Sequence, residues 1–203
     1  MGEGGRGRRP GASGAGAVGA DVTGRRVVVG VCGGVSAYKV AALVSHLRRE
    51  GADVHVVMTQ AALRFVGELT FRSLSQNPVV TDLWSPTNPY DEPHVALGAQ
   101  ADLVVVAPAT AHTLAKLAGG FADDPVCATV LASKAPVLLA PAMSEEMWHH
   151  PATRRNVETL EGFGYRFVGP VYGRLASGQE GWGRMAEPEE ILEAIRRILT
   201  TDG

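Results

Sequence analysis

The segment that most constrains the fold runs from Leu103 to Thr113 and reads LVVVAPATAHT. It opens with four apolar, mostly β-branched residues, which predict a strand buried on both faces of a sheet. We expect the Ala-Pro-Ala-Thr that follows to take the backbone out of the sheet at the carboxyl end of this strand. Open α/β sheets bind ligands at that edge, although an ordinary joint between a strand and a helix fits the segment equally well.

Similar apolar segments recur along the chain and alternate with helical patterns. We predict further strands at Val27–Val31, Asp53–Thr59, Pro136–Ala140 and Tyr165–Val168. Apolar residues at helical spacing predict helices after Ser36, within Ala61–Leu74, and over Val95–Gln100, Asn156–Leu160 and Pro188–Leu199. The alternation predicts a single α/β domain with an open parallel sheet, right-handed crossovers and helices on both faces.

Two long segments lack such a pattern. One is the polar, proline-rich segment Trp84–Pro93, and the other is the glycine-rich segment Gly173–Met185. We expect both to be loops, and a long irregular loop in a compact domain is more often functional than idle.

Composition limits the partners of the chain. Residues 1–24 are mostly Gly, Ala and Arg, so we expect a flexible tail ahead of a domain that spans residues 25–203. The net charge of -2 argues against nucleic acid or an anionic membrane as the main partner. No segment approaches the roughly 18 apolar residues of a membrane span. Cys32 and Cys127 are the only cysteines, so we expect no disulfide framework and a cytoplasmic location.

A glycine turn follows the first predicted strand. Gly33-Gly34 leads into a helix that Ser36 caps or begins, and the free N–H groups of such a helix start can bind a phosphate. The spacing matches neither a dinucleotide fingerprint nor a P-loop, and a turn that serves only tight packing is the alternative. Thr59 and Thr110 add hydroxyl groups along the same predicted edge.

Four segments then carry a resemblance to a known family: GGVSAYK, PATAHT, PAMSEEMW and RLASGQEGWGRM, in that order. Together they resemble the flavin-dependent cysteine decarboxylases, over about residues 26–190. This family comprises phosphopantothenoylcysteine decarboxylase and the peptidyl-cysteine decarboxylases of lantibiotic-type peptide biosynthesis. The resemblance implies a Rossmann-like, flavodoxin-like subunit with a bound FMN or FAD. It also implies a homotrimer, or trimers assembled into a dodecamer, with the flavin near a subunit interface.

The resemblance assigns roles to individual positions. The essential histidine of the family corresponds to His94, which alone would be interpreted as a capping or surface residue. The flavin contacts of the family correspond to Gly33, Gly34, Val35, Ser36, Thr59, Phe65, Pro108, Ala109, Thr110, Ala111, Thr113 and Ala142. The substrate contacts, including those of a flexible lid, correspond to His112, Met143, Ser144, Met147, Arg174, Ala176, Ser177 and Met185.

The implied reaction is the oxidative decarboxylation of a cysteine. The flavin takes two electrons from the substrate thiol, and the resulting thioaldehyde accepts the electrons released when the neighbouring carboxylate leaves as CO₂. The product is an enethiol. His94 would manage the thiol proton, and the PAMSEEMW turn would hold the carboxylate.

Three positions depart from the family pattern. His112 and Ser144 each replace an Asn, and Ser177 replaces a cysteine of the pantothenate-pathway enzyme. Ser144 offers one hydroxyl donor where Asn offers two, so the carboxylate is anchored less strongly or from elsewhere, by a protonated His112 for example. A purely structural hydrogen bond of His112 is the alternative. The missing cysteine donates the proton that saturates the enethiol, and a serine hydroxyl is too weak an acid to replace it.

The change at Ser177 favours an enzyme that releases the enethiol. The short remainder of the chain after Met185, which leaves no room for a synthetase domain, favours the same choice. We therefore expect decarboxylation of the C-terminal cysteine of a ribosomal precursor peptide, which forms the aminoenethiol of an aminovinyl-cysteine ring. The alternatives are phosphopantothenoylcysteine decarboxylase of coenzyme A biosynthesis and a non-catalytic flavin-binding regulator. A flavin prenyltransferase shares the architecture, but the PAMSEEMW and GRM segments argue against it.

Overall fold

The structure, a computed structural model, describes residue 1 and residues 22–85 and 92–201. Within them, six strands form a parallel sheet in the order β3-β2-β1-β4-β5-β6. The strands are β1 (Arg26–Val31), β2 (Asp53–Met58), β3 (Val79–Val80), β4 (Leu103–Ala109), β5 (Val137–Pro141) and β6 (Arg166–Phe167). The strand order reverses at the pair β1 and β4, and such a reversal opens a crevice at the carboxyl edge of the sheet.

Helices cover both faces of this sheet. The helices are α1 (Ala37–Arg49), α2 (Glu68–Ser75), α3 (Pro93–Gln100), α4 (Ala111–Gly119), α5 (Pro125–Ala132), α6 (Glu145–His149), α7 (Pro151–Gly162) and α8 (Pro188–Thr201). Residues of α1, α2 and α8 share one core cluster, and residues of α3, α4, α5, α6 and α7 share the other. The predicted α/β class, with a parallel sheet between two helical layers, is confirmed.

The central strands are apolar at consecutive positions because helices cover both faces of the sheet. In β4, Leu103 and Val105 pack into the cluster under α1, whereas Val104 and Val106 pack into the opposite one. Because both faces of the strand are buried, each position needs an apolar side chain, and the usual alternation with polar residues is lost.

The carboxyl end of β4 differs from the prediction. We expected the backbone to leave the sheet at the Ala-Pro-Ala-Thr, but Ala109 still pairs with Pro141 of β5. The register shifts between Val106 and Ala109, because Pro108 has no N–H group to donate to the neighbouring strand. The ligand edge therefore begins at Thr110.

The predicted glycine-rich loop was also wrong. Its residues form an antiparallel hairpin of β7 (Val171–Arg174) and β8 (Glu180–Arg184). Just ahead of the predicted domain, Val22 is 1% exposed in the core and its carbonyl accepts a hydrogen bond from the amide of Arg25. The boundary at residue 25 stays a prediction.

Some predictions fall outside the described residues. These are the flexibility of residues 2–21 and the loop character of residues 86–91. Among the described helices, none has the length and apolar character that crossing a bilayer requires.

Candidate functional site

A cavity of about 780 Å³ opens at the carboxyl edge of the sheet. The turn between β1 and α1, the loop between β4 and α4, the turn between β5 and α6, and the hairpin all contribute to its wall. Its volume lies within the range of about 300–1,000 Å³ that is usual for sites of small molecules and cofactors. Helices α1 and α4 both begin at the cavity, so their positive N-terminal ends favour an anionic ligand there.

Most of the predicted site residues line this one cavity. From the predicted flavin contacts, the lining includes Gly33, Gly34, Val35, Ser36, Thr110, Ala111 and Ala142. From the predicted substrate contacts, it includes His112, Met143, Ser144, Met147, Arg174, Ala176 and Ser177. Segments far apart in sequence therefore meet where the strand order reverses.

The turn between β1 and α1 is packed so closely that it needs glycine. A Cβ on Gly33 would overlap the Cβ of Ala61, whereas a Cβ on Gly34 would make only an ordinary contact, at 3.5 Å, with Cγ of Pro108. The turn thus packs directly against the segment that follows β2 and lies beside the end of β4. Without side chains on these two residues, a ligand can reach the main chain.

This turn and the start of α4 present hydrogen-bond donors to the cavity. In the described structure, the backbone N–H groups of residues 34–36 donate to no carbonyl group, and the Ser36 side chain makes no capping hydrogen bond. At α4 the cap is occupied, because the Thr110 hydroxyl accepts from the amide of Thr113 at 3.2 Å. The turn between β1 and α1 therefore offers a stronger binding site for a phosphate than the start of α4 does.

The turn between β5 and α6 supports the hairpin. The amide of Met143 donates to the carbonyl of Gly183 at 2.9 Å, and the amide of Trp182 donates to Oε1 of Glu145 at 3.2 Å. The close approach requires glycine at position 183, where the neighbouring atoms are backbone atoms, whereas those beside Gly181 belong to the flexible end of a side chain. A Cβ on Gly181 would lie 2.8 Å from Cδ of Glu145, and a Cβ on Gly183 would overlap the Met143 carbonyl oxygen. Glu145 and Met143 thus fix the hairpin as the outer wall of the cavity.

Ser144 is exposed at the start of α6 and caps it. Its hydroxyl accepts from the amide of Met147 at 3.5 Å, which is a long hydrogen bond. The hydroxyl proton stays available for an acceptor such as a carboxylate. The geometry is compatible with the predicted substrate role of Ser144.

Several predicted flavin contacts do not line the cavity. Pro108, Ala109 and Thr113 are buried behind it, with Thr113 2% exposed and its hydroxyl 3.1 Å from that of Thr110. The hydroxyl of Thr59 accepts from the amide of Ala62 at 3.2 Å beside the glycine turn. Pro108 and Thr59 support the turn, and direct contact with a flavin stays a prediction for all four residues.

Phe65, Met185 and His94 lie elsewhere. Phe65 is 53% exposed on the surface, away from the cavity wall. Met185 is fully buried in the core with residues of α8 such as Ile191, so its contact with a substrate stays a prediction that its burial does not support. Since Met185 directly follows β8, the chain there has already turned from the cavity into the core.

His94 is the second residue of α3 and does not line the cavity of its own chain. Because α3 connects two parallel strands, it runs against them and begins at the carboxyl edge of the sheet. Nδ1 of His94 is buried and has no hydrogen-bond partner among the described residues. A buried ring nitrogen without a hydrogen-bond partner is costly in a folded protein.

Sequence reasoning missed other cavity residues, which are Tyr38, Lys39, Leu175, Gly183 and Arg184. Lys39 lies one helical turn after Ser36, so the spacing of α1 contained the signal. Arg184 could not be found in this way, because its position depends on pairing within the hairpin.

Neither cysteine is a candidate nucleophile. Burial raises the pKa of the Cys32 thiol to about 12, and burial also raises the pKa of Cys127. Both thiols are buried and stay protonated at neutral pH, and no disulfide joins them.

The chain matches a protein family and a relative in sequence. A model of the family described as Flavoprotein matches residues 16–200. Over 175 residues the chain is 49% identical to the coenzyme A biosynthesis bifunctional protein CoaBC of Mycolicibacterium smegmatis. That alignment covers 86% of this chain and 42% of the relative, so the chain spans less than half of the relative's length.

Two solved structures extend the similarity. The FMN-dependent cysteine decarboxylase SpaF superposes with a TM-score of 0.77 at 36% identity, covering 89% of this chain and 98% of SpaF. A cysteine-to-serine mutant of PPC decarboxylase, in complex with pantothenoylaminoethenethiol, also gives 0.77, at 34% identity. That superposition covers 89% of this chain and all of the other.

Proposed function

Because the chain belongs to the Flavoprotein family, we propose that it decarboxylates phosphopantothenoylcysteine with FMN as its cofactor. The resemblance to flavin-dependent cysteine decarboxylases is confirmed, and so is the prediction of FMN. The proposal rests on one observation above all, which is that the four motif segments line a single cavity at the edge of the sheet.

The predicted peptide substrate was wrong. The chain shares 49% identity with a bifunctional protein of coenzyme A biosynthesis, and this likeness extends over 86% of its residues. The prediction depended mainly on Ser177, a single lid residue, and similarity along the whole chain outweighs it. The position at which the sequence ends carries no weight, because the sequence covers only part of that relative's length.

The residues of the cavity fit FMN. The bare glycine turn and its free N–H groups would hold the phosphate at the start of α1, where the helix dipole favours a dianion. The small residues Ala111 and Ala142 leave room for a flat ring system against the β4 and β5 ends. When bound, FMN supplies the two-electron oxidation of the substrate thiol.

The remaining residues position the substrate. The hydroxyl of Ser144 and the first turn of α6 face the cavity, where they can receive the cysteine carboxylate. The hairpin covers this position and keeps water from the reacting groups, since Met143 and Glu145 hold β8 against the turn. Ser177 lies on the loop of the hairpin and also faces the cavity.

His94 is the proposed base for the thiol proton, supplied by a neighbouring copy in a homotrimer or in a dodecamer of trimers. The absence of His94 from the cavity of its own chain supports this arrangement. A His94→Asn variant tests the role, because it should retain FMN and lose activity. Native mass spectrometry tests the assembly, and a monomer that decarboxylates at full rate would contradict it.

The substrate is tested by incubating the FMN-loaded protein with phosphopantothenoylcysteine and, separately, with a peptide that ends in cysteine. Mass spectrometry should show a loss of CO₂ from the small substrate and no change in the peptide. A further loss of two hydrogens would mean that Ser177 leaves the enethiol unreduced. Turnover of the peptide alone, or of neither compound, would overturn the proposal.

A further inference from the structure

The cavity carries an excess of positive charge. Its side-chain cations are Lys39, Arg174 and Arg184, and no Asp or Glu is among the described residues that line it. The substrate and FMN each carry a phosphate group, and a cation can bind a phosphate best when no carboxylate of the protein already pairs with it. The ion pairs of the protein distinguish the three cations in this respect.

Two of the cations are already paired. The Lys39 ammonium donates to both carboxylate oxygens of Glu187 at 2.8 and 2.9 Å, and the Arg184 guanidinium also contacts this carboxylate. The hydrogen bond from Lys39, with that from Arg184, holds the pKa of Glu187 below its ordinary value. Glu187 therefore stays ionised and keeps both cations beside α8.

Arg174 has no such partner. It is the last residue of β7, it is exposed, and its guanidinium forms no hydrogen bond or ion pair with any described residue. Glu180 lies directly across the hairpin from it, yet the two side chains form no ion pair. A guanidinium that faces a cavity with all its donors unused is suited to an anion with several oxygen atoms.

A second guanidinium group packs against the strand that carries Arg174. A Cβ on Gly173 would lie 2.9 Å from Nη1 of Arg184, so that guanidinium rests against the backbone just before Arg174. The hairpin thus contributes both arginines to the wall of the cavity. The free N–H groups of the glycine turn lie on a different wall, formed by β1 and α1.

We propose that Arg174 binds the terminal phosphate of the substrate and so selects phosphorylated pantothenoylcysteine over the unphosphorylated form. This inference rests on the proposed function. The glycine turn would hold the flavin phosphate, which would leave the hairpin for the second phosphate. Because that phosphate is remote from the reacting cysteine, its binding energy positions the substrate without taking part in the bond changes.

The test compares two substrates that differ only in the phosphate. With Arg174→Gln, kcat/KM for phosphopantothenoylcysteine should fall about 10- to 100-fold, as expected for lost hydrogen bonds between charged groups. With pantothenoylcysteine it should not change, so the preference for the phosphate disappears. Arg155→Gln is the matched control, because it removes an exposed arginine of α7 that lies outside the cavity.

Flavin content is measured for each variant from its visible absorbance. Equal losses with both substrates, an unchanged preference, or a loss of FMN from Arg174→Gln would overturn the proposal. If the wild-type protein decarboxylates neither compound, the proposed function fails and calorimetry decides the separate question of the phosphate site. The FMN-loaded wild type should then bind phosphopantothenate more tightly than Arg174→Gln does, and equal affinities would refute the site.

Discussion

Replacement of Gly183 by alanine should detach the hairpin from the cavity. Gly183 has a φ of +125°, a backbone conformation that is essentially restricted to glycine, and a Cβ there would overlap the carbonyl oxygen of Met143. The same Cβ would lie 3.2 Å from the Met143 carbonyl carbon. Because backbone atoms are on the other side of the contact, no side-chain rotation can relieve it.

The size of the effect follows from two opposing contributions. The strained backbone costs about 1–3 kcal/mol and the overlap costs about 1–3 kcal/mol more. The hairpin is attached by the hydrogen bond from Met143 to Gly183, worth about 1 kcal/mol, and by that from Trp182 to the Glu145 carboxylate, worth about 1.5–3 kcal/mol. The strain is comparable to the attachment, so we expect the hairpin to lift while the rest of the domain stays folded.

Gly178→Ala is the matched control. Gly178 also has a positive φ, of +88°, but no atom lies within 4 Å of a Cβ placed on it. Gly178→Ala should introduce the backbone strain of a positive φ, about 1–2 kcal/mol, without any steric overlap.

Hydrogen exchange of the Met143 amide reports directly on the attachment. In Gly183→Ala its protection should fall about 10-fold or more relative to Gly178→Ala, with a raised KM for the substrate. Equal protection in the two variants would refute the idea that the Met143 turn holds the hairpin.

Two further predictions concern stability. Burial lowers the pKa of His55 below its ordinary value of 6.5 despite the opposing Asp53, so the unfolded chain takes up the proton first on acidification. The free energy of unfolding should therefore decrease from about pH 7 to pH 5. Urea titrations should show a weaker decrease in His55→Gln, and an equal decrease would contradict the assignment. Asp124→Ala should lower this free energy by about 1–2 kcal/mol, because its carboxylate caps α5 and pairs with Lys116. Asp123→Ala, which removes only an exposed ion pair with Lys116, should cost less, and equal costs would contradict the capping role.

The buried part of the fold could be predicted from the sequence because it depends on local patterns. Leu103–Val106 is apolar at every position, and only a strand covered on both faces requires that. The end of β4 was harder to predict, since the pairing of Ala109 with Pro141 depends on a strand that lies far along the chain.

The hairpin was predicted to lie over the site, but its strand pairing was missed. Glycines such as Gly181 and Gly183 are typical of loops, and their actual role is to let β8 pass close to Glu145 and Met143. That contact joins segments almost forty residues apart, as in the hydrogen bond from Trp182 to Glu145. No local pattern encodes it.

The choice of substrate failed for a related reason. Ser177 indicates which proton donor is missing, but it does not identify the molecule that occupies the cavity. The charged side chains of the cavity bear on the substrate more directly. Which of them is available to a ligand is clear only from the structure, where Lys39 and Arg184 pair with Glu187 and Arg174 pairs with no described residue.

The central claim is that the cavity removes the cysteine carboxylate of phosphopantothenoylcysteine by means of bound FMN. The most direct measurement supplies this substrate with ¹³C in that carboxylate and follows the gas released by the FMN-loaded protein. The proposal predicts ¹³CO₂ in equal amount to the substrate consumed, and none after FMN is removed. Substrate that is bound and recovered with its label intact, from protein that retains its flavin, would contradict it.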